Sequence, residues 1–288
     1  MIKKKQIKEE LKSLDSLKGL IRAYEQIAST RMKKTRESVL FTRQYTDSIY
    51  QIFNEVRFAY KDSAKKFLRK RSGNKLTFLA HNGKKVAVLL SANTGLYGEI
   101  VRSTFDKFAE EIRSTDSEAT IVGRQGLSLY IQTFPERPYS FFEIPDQNIT
   151  LKDLTPLIKH IVQYEEIHVY HGKFISVVSQ KADMLTVSAQ IDLAGSTDQK
   201  PQKSYLFEPS LENILMFFET EIFASVFEQA VRESELAKYA SRVLAMDKAD
   251  LNIQNRTKSL ELEKMRVEHI VSNKKQLNSL SVIVSLGS

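Results

Sequence analysis

The chain contains no cysteine, which excludes disulfide staples and thiolate metal or redox chemistry. It also lacks tryptophan, an absence that excludes nothing. Proline and glycine are scarce, six and ten among 288 residues. They are unevenly placed: every proline and most glycines fall between Gly73 and Pro209. Long hydrophobic runs are missing as well. No apolar window approaches the ~18 residues that a membrane-spanning helix needs. The opening residues MIKKKQIKEELKSL are basic but have no apolar core segment, so a signal or transit peptide is not expected.

The regions without helix breakers are the informative ones. From Ser210 to Leu286 there is neither glycine nor proline, and at about 1.5 Å per residue a helix there is a rod on the order of 115 Å long. Globular helices end after about 8–20 residues, so this length implies a coiled coil, a membrane span or a mechanical rod. Charges spread along it, among them Glu219, Arg232, Lys238, Asp247, Arg256 and Lys264, exclude the membrane. Ile2 to Arg71 mirrors this, with Gly19 alone and apolar residues at Ile7, Leu11, Leu14, Leu17, Ile21, Tyr24 and Ile27. Two terminal helices around an inserted domain pair only if antiparallel, because the insert returns the chain to its starting point. The expected division is 1–72 helix, 73–206 compact domain and 207–288 helix. The expected seam places Ile21, Tyr24 and Ile27 against Val243, Met246, Ile253 and Leu260.

The middle of the chain alternates strand and helix patterns. Val86–Leu90 and Ala119–Val122 read as strands, each leading through a glycine-bearing turn into a helix. Leu151–Val162 reads as a third helix, and Glu166–Tyr170 as the strand after it. Val177–Val178 and Met184–Ile191 suggest further strands. Successive units of this kind predict a doubly wound parallel sheet. The fold class is therefore α/β, a long antiparallel coiled coil of the terminal helices plus a central Rossmann-like lobe.

The lobe carries no recognisable catalytic or cofactor motif. The loop holding Gly95 and Gly98 has neither GxGxxG nor GxxxxGK[ST]. His81, His160, His168, His171 and His269 show no metal-ligand spacing, and Ser91 and Ser176 have no GxSxG context. No cofactor, metal or catalytic residue is expected. The net charge of +8 sits on the arms, at Lys3 to Arg36 and again at Lys65 to Arg71. A solvated helix face, an acidic protein partner and nucleic acid all fit such charge, though no nucleic-acid-binding motif accompanies it.

Several segments carry a resemblance. Leu20–Glu37 (LIRAYEQIASTRMKKTRE) is similar to the opening helix ITKAMKMVAAAKLRRAQE of the gamma subunit of F-type ATP synthases. Val88–Gly98 (VLLSANTGLYG) resembles that family's LLITSDRGLCG, and Tyr170–Gln180 its YNxFxSxxxQ region. Phe207–Ser210 matches its FEPS, and Ala240–Ala249 (ASRVLAMDKA) resembles ARMxAMxxA. These matches keep the family's order across nearly the whole chain.

The resemblance implies a rotor shaft, coupling ion-driven rotation to ATP synthesis or hydrolysis in a catalytic α/β hexamer. It implies alpha, beta and epsilon subunits and a c-ring as partners, no nucleic acid, and peripheral attachment at the cytoplasmic side of a bacterial membrane. It marks Tyr24, Arg31, Lys33, Lys34, Arg36, Arg242, Met246, Arg266 and Ile270 as ring-contact candidates. The chain also departs from the pattern. Tyr24 and Glu25 replace the methionine and lysine of the KAM segment. At Arg266–Lys274, aligned with RQAxITxEL, Arg266 and Ile270 remain while the glutamine, threonine and glutamate are lost. A gamma-like shaft in a specialised motor without a c-ring therefore stays open beside the synthase reading, as does a basic helical scaffold for nucleic acid.

Overall fold

The computed structural model describes residues 2–59, 82–188 and 211–286. The expected boundaries near 72 and 206, the basic run Lys65–Arg71, the FEPS segment and the end of the Met184–Ile191 strand lie outside the described residues. Helix α1 spans Ile2–Ala59 and helix α5 spans Leu211–Leu286. Their 58 and 76 residues are continuous because nothing in either sequence removes a backbone donor or relaxes the helix, Gly19 apart. Between them lie β1 (Lys85–Leu90), α2 (Ile100–Ser114), β2 (Glu118–Val122), α3 (Arg124–Thr133), β3 (Tyr139–Phe142), α4 (Leu151–Ile161), β4 (Glu166–Phe174) and β5 (Gln180–Ser188). The chain divides into two compact units, 1–29 with 242–288, and 30–241.

In the second unit the strands form one sheet of order β3-β2-β1-β4-β5. The first four are mutually parallel, and β5 returns antiparallel on β4. Val86–Leu90, Thr120–Val122 and Ile167–Tyr170 are neighbouring parallel strands, as the sequence pattern requires. Alternation along β1 sends its residues to two cores. Val86, Val88 and Leu90 join Leu154, Leu157 and Ile161 of α4 and Phe223, Phe227, Ala230 and Val231 of α5. Ala87 and Leu89 join Phe105, Phe108 and Ile112 of α2 and Tyr130 of α3 on the opposite face. The sheet is thus covered on both sides, the condition for parallel strands to be stable.

Two strand expectations need correction. Val177 and Val178 form the turn between β4 and β5, where the Ile175 and Ser176 N–H groups donate to the Ser179 carbonyl. The Gln180 side-chain amide also donates to the Ser176 and Val177 carbonyls, so local hydrogen bonding overrides β-branched preference. Conversely, β3 is a strand that the sequence pattern does not reveal. Its four residues YSFF lie between Pro138 and Pro145 and are only partly buried, a pattern too short to show alternation.

A buried and a half-buried histidine give the second unit a pH dependence. Burial pushes His171 on β4 below its ordinary value, opposed by the Gly172 carbonyl, Glu233 and Asp183. Burial also lowers His160 on α4, opposed by Glu118, while its ring packs against Phe142 and Tyr164. Both rings stay neutral in the fold where the unfolded chain takes up protons. Stability therefore falls as pH drops below the unfolded value of about 6.5. The lowered carboxyls of Glu118, Glu166 and Asp183 add their loss in a lower window, below about pH 4.5. A His160→Phe, His171→Gln double variant is expected to flatten the fall in denaturation midpoint as pH drops below about 6.5 and to leave the carboxylate window intact.

Candidate shaft and ring-contact surface

In the first unit α1 and α5 run antiparallel. Lys3 pairs with Glu263 at 3.0 Å, Lys4 with Glu268 at 2.9 Å, Glu10 with Arg256 at 2.6 Å and Arg22 with Asp250 at 3.8 Å. From Lys4 through Glu10 to Arg22 the partner falls from Glu268 through Arg256 to Asp250. These pairs are mostly exposed and set register rather than stability. Stability comes from the seam, where Ile21 packs with Met246 and Ile253, flanked by Leu14, Ala245 and Ala249.

The seam follows a heptad. Ile7, Ile21 and Ala28 are buried and Leu14 is half-buried, at steps of seven. Met246, Ile253 and Leu260 repeat the step on α5. A seven-residue repeat keeps one stripe facing its partner along a supercoiled pair. Expectation and structure agree at Ile21, Met246, Ile253 and Leu260, and Val243 is half-buried. They differ at Tyr24 and Ile27, which are 43 % and 44 % exposed. The second row of the stripe runs instead through Leu11, Lys18 and Glu25, all half-buried, leaving Tyr24 and Ile27 beside the seam. Periodicity among apolar residues alone could not show that charged residues hold seam positions.

Lys18 leaves the seam underfilled. A groove of about 290 Å³ is lined by Leu11, Leu14, Asp15 and Lys18 of α1 and by Ile253, Gln254, Thr257 and Lys258 of α5. A lysine covers such a position with its stem while its ammonium reaches for water. Replacing Lys18 by leucine is expected to raise the stability of this unit by about 1 kcal/mol, read as a higher melting temperature in circular dichroism.

The heptad of α1 continues into the second unit, where Thr35, Thr42, Ile49 and Val56 are buried, with Val39, Thr46 and Phe53 as the second row. Phe53 and Val56 cluster with Ile214, Phe218 and Ile222 of α5. Arg43 donates to the buried Glu233 carboxylate at 2.9 Å.

The ring-contact candidates separate by exposure. Tyr24, Lys33, Lys34, Arg36, Arg266 and Ile270 present exposed side chains, the apolar Ile270 being 66 % exposed. Thr35, within the basic turn, points inward, so Lys33, Lys34 and Arg36 share the outer side. Three candidates behave differently. Arg31 is half-buried and its guanidinium donates to the Tyr239 hydroxyl on α5. Arg242 and Met246 are buried, Met246 within the seam, so neither offers an exposed side chain to a ring. Their similarity to the family's C-terminal segment reflects packing inside the chain.

Sequence reasoning passed over a buried polar cluster at the carboxyl end of β1, where Lys238 of α5 donates to the Ser91 carbonyl at 2.9 Å. Lys238 read as one more charge on a long helix. Asp146, which meets it, sits in an irregular segment without periodicity. No described helix is long and apolar enough to cross a membrane, and no metal-binding cluster occurs among the described residues.

This architecture has matches along most of its length. A model of the ATP synthase family matches residues 3–270. The chain belongs to the ATP synthase gamma family. Its relatives include the ATP synthase gamma chain of Glaesserella parasuis, 22 % identical over 270 residues and 90 % of each chain, and that of Desulforamulus reducens, 21 % identical over 283 residues and 95 % of each chain. Among solved structures, a chain from the rotor of the Euglena gracilis mitochondrial ATP synthase aligns with a TM-score of 0.65 at 14 % identity, covering 93 % of this chain and 98 % of that one. A chain from the central stalk and c-ring of the Tetrahymena thermophila mitochondrial enzyme aligns with a TM-score of 0.57 at 16 % identity, covering 80 % and 99 %. The family shares the fold described above, long terminal helices around a central sheet.

Proposed function

We propose that the chain is the torque-bearing shaft of an ATP synthase, turning inside a ring of alpha and beta subunits and engaging epsilon and a c-ring. The observation that carries this reading is the pair of unbroken helices, 58 and 76 residues long, closed by an antiparallel heptad seam. A rod of this build serves mechanics, and the chain contributes no catalytic group of its own. An asymmetric shaft presents different side chains to each catalytic subunit, so that otherwise equal sites occupy different states and exchange them on rotation. The three-part division at about residues 72 and 206 belongs to this reading, as does peripheral attachment of the complex to the cytoplasmic side of a bacterial membrane.

A second reading is favoured by the C-terminal departures. The family match ends at residue 270, and Glu268, in the segment where the family has ring-contacting residues, pairs instead with Lys4. A motor whose ring subunits have diverged together with the shaft, driving something other than a c-ring, accommodates both facts. Native purification with identification of co-purifying subunits separates the readings. Alpha, beta, epsilon and c subunits together support the first, and alpha and beta without c support the second. A chain that purifies with no nucleotide-hydrolysing ring contradicts both.

A further inference from the structure

We propose that Lys238, together with Arg232 and Tyr239, is the joint by which the sheet domain grips helix α5 against twisting. The inference rests on the rotor reading above and adds where the load passes. From Glu233 to Ser241 every residue of α5 is buried, so these two and a half turns are enclosed on all sides. An enclosed helix segment is normally apolar throughout, yet this one contains Glu233, Glu235 and Lys238. Burying such groups is unfavourable unless each meets a partner: Glu235 finds Arg232 and Tyr239 on α5 itself, while Glu233 meets Arg43 of α1 and Lys238 meets the sheet domain.

Lys238 donates to the Ser91 carbonyl at 2.9 Å, stands 5.8 Å from the centre of the Tyr97 ring and lies 4.0 Å from the Asp146 carboxylate. The Tyr239 hydroxyl donates to the Asp146 carbonyl at 3.2 Å. The Arg232 guanidinium donates to the Ile149 carbonyl at 2.9 Å. Asp146 in turn accepts from the Asn93 and Thr94 N–H groups, each at 2.9 Å. One carboxylate therefore ties the loop after β1 to the segment before α4, and α5 is hydrogen-bonded to both.

The location strengthens the reading. Strand β1 has β2 on one side and β4 on the other, and the crevice at the carboxyl ends of such strands is where open α/β sheets receive ligands. Here α5 fills it. Gly172 on β4 leaves room for both neighbouring helices, since a Cβ there would stand 2.8 Å from the Ile100 side chain of α2 and 3.2 Å from the Ala237 Cβ of α5. Apolar contact is non-directional and resists rotation of a helix weakly. Hydrogen bonds are directional, and these act at two angles around the axis, Arg232 and Tyr239 on one side and Lys238 about 100° away. Together they oppose both twist and sliding.

The test uses the assembled complex during ATP-driven rotation. Because the chain has no cysteine, Val178→Cys at the exposed β4–β5 turn gives this subunit a single handle for a probe on the sheet domain. Small and large probes are compared in this background and with Lys238→Met and Tyr239→Phe added. The expected result is unchanged ATP hydrolysis and unchanged rotation of the small probe, with slipping of the large probe about ten-fold more frequent in the double variant. A general folding defect would depress the small-probe rate as well. If the double variant does not assemble, Tyr239→Phe alone, isosteric apart from the hydroxyl, must still slip more often under load. Equal slipping under load overturns the joint and leaves the rotor reading standing. A handle-bearing parent whose probe never rotates while the ring hydrolyses ATP overturns the rotor reading itself.

Discussion

Replacing Gly123 by valine is expected to destabilise the sheet domain severely. Gly123 joins β2 to α3 with φ of +95°, a conformation that a β-branched residue adopts only under strain. Space is also lacking, because a Cβ there would lie 2.8 Å from the Ala92 nitrogen, carbon and oxygen. Those are backbone atoms of the loop after β1, fixed by the Gln125 N–H donating to the Ala92 carbonyl at 2.8 Å and by the Gly123 N–H donating to the Phe142 carbonyl at 3.1 Å. Neither neighbour can move without breaking the junction of three strands. Strain of about 1–3 kcal/mol and overpacking of similar size give a loss of about 3 kcal/mol or more, a large share of a domain's stability. Urea denaturation and limited proteolysis report it. Gly95→Ala is the contrast, expected within about 0.5 kcal/mol of the parent, since a Cβ at Gly95 meets nothing within 4 Å.

That contrast marks what the sequence could convey. In the sequence Gly95 and Gly98 follow a strand in the manner of phosphate-binding loops, while Gly123 and Gly126 read only as a strand–helix boundary. Tight positions are instead Gly123 and Gly126, whose added Cβ atoms would strike the β1 loop and its flanks, and Gly172, whose Cβ would strike Ile100. Close approach between segments distant in sequence leaves no local signature. The parallel strands were legible because β1 is an uninterrupted apolar run, buried on both faces. Heptad residues such as Met246, Ile253 and Leu260 were legible for the same reason, whereas Lys18 and Glu25 hold seam positions that polarity disguises. The burial of Arg242 and the bond from Arg31 to Tyr239 were hidden too, since a cation in a long polar helix reads as solvated until its partner is known.

The exposed basic turn yields the largest functional effect expected of this chain. Lys33, Lys34 and Arg36 face outward around the buried Thr35, and no partner is needed within the chain to hold them there. In the proposed rotor they face acidic segments of the catalytic ring through contacts that must stay weak and repeated, because one tight pair would trap the shaft at one angle. Each exposed pair contributes about 0–1 kcal/mol, so single substitutions are expected to change coupling less than about five-fold. Reversing all three to glutamate turns each attraction into repulsion. Summed over three sites this amounts to several kcal/mol and lowers ATP-driven pumping more than about ten-fold. Arg31 is left intact, since its bond to Tyr239 would confuse a loss of contact with a loss of packing. The measurement is coupled pumping in complexes shown to contain the full set of subunits, alongside the melting temperature of the isolated variant, which is expected to match its parent. Normal pumping by the triple variant would assign the turn to solvent and move the search for ring contact to Tyr24, Arg266 and Ile270, the remaining exposed candidates.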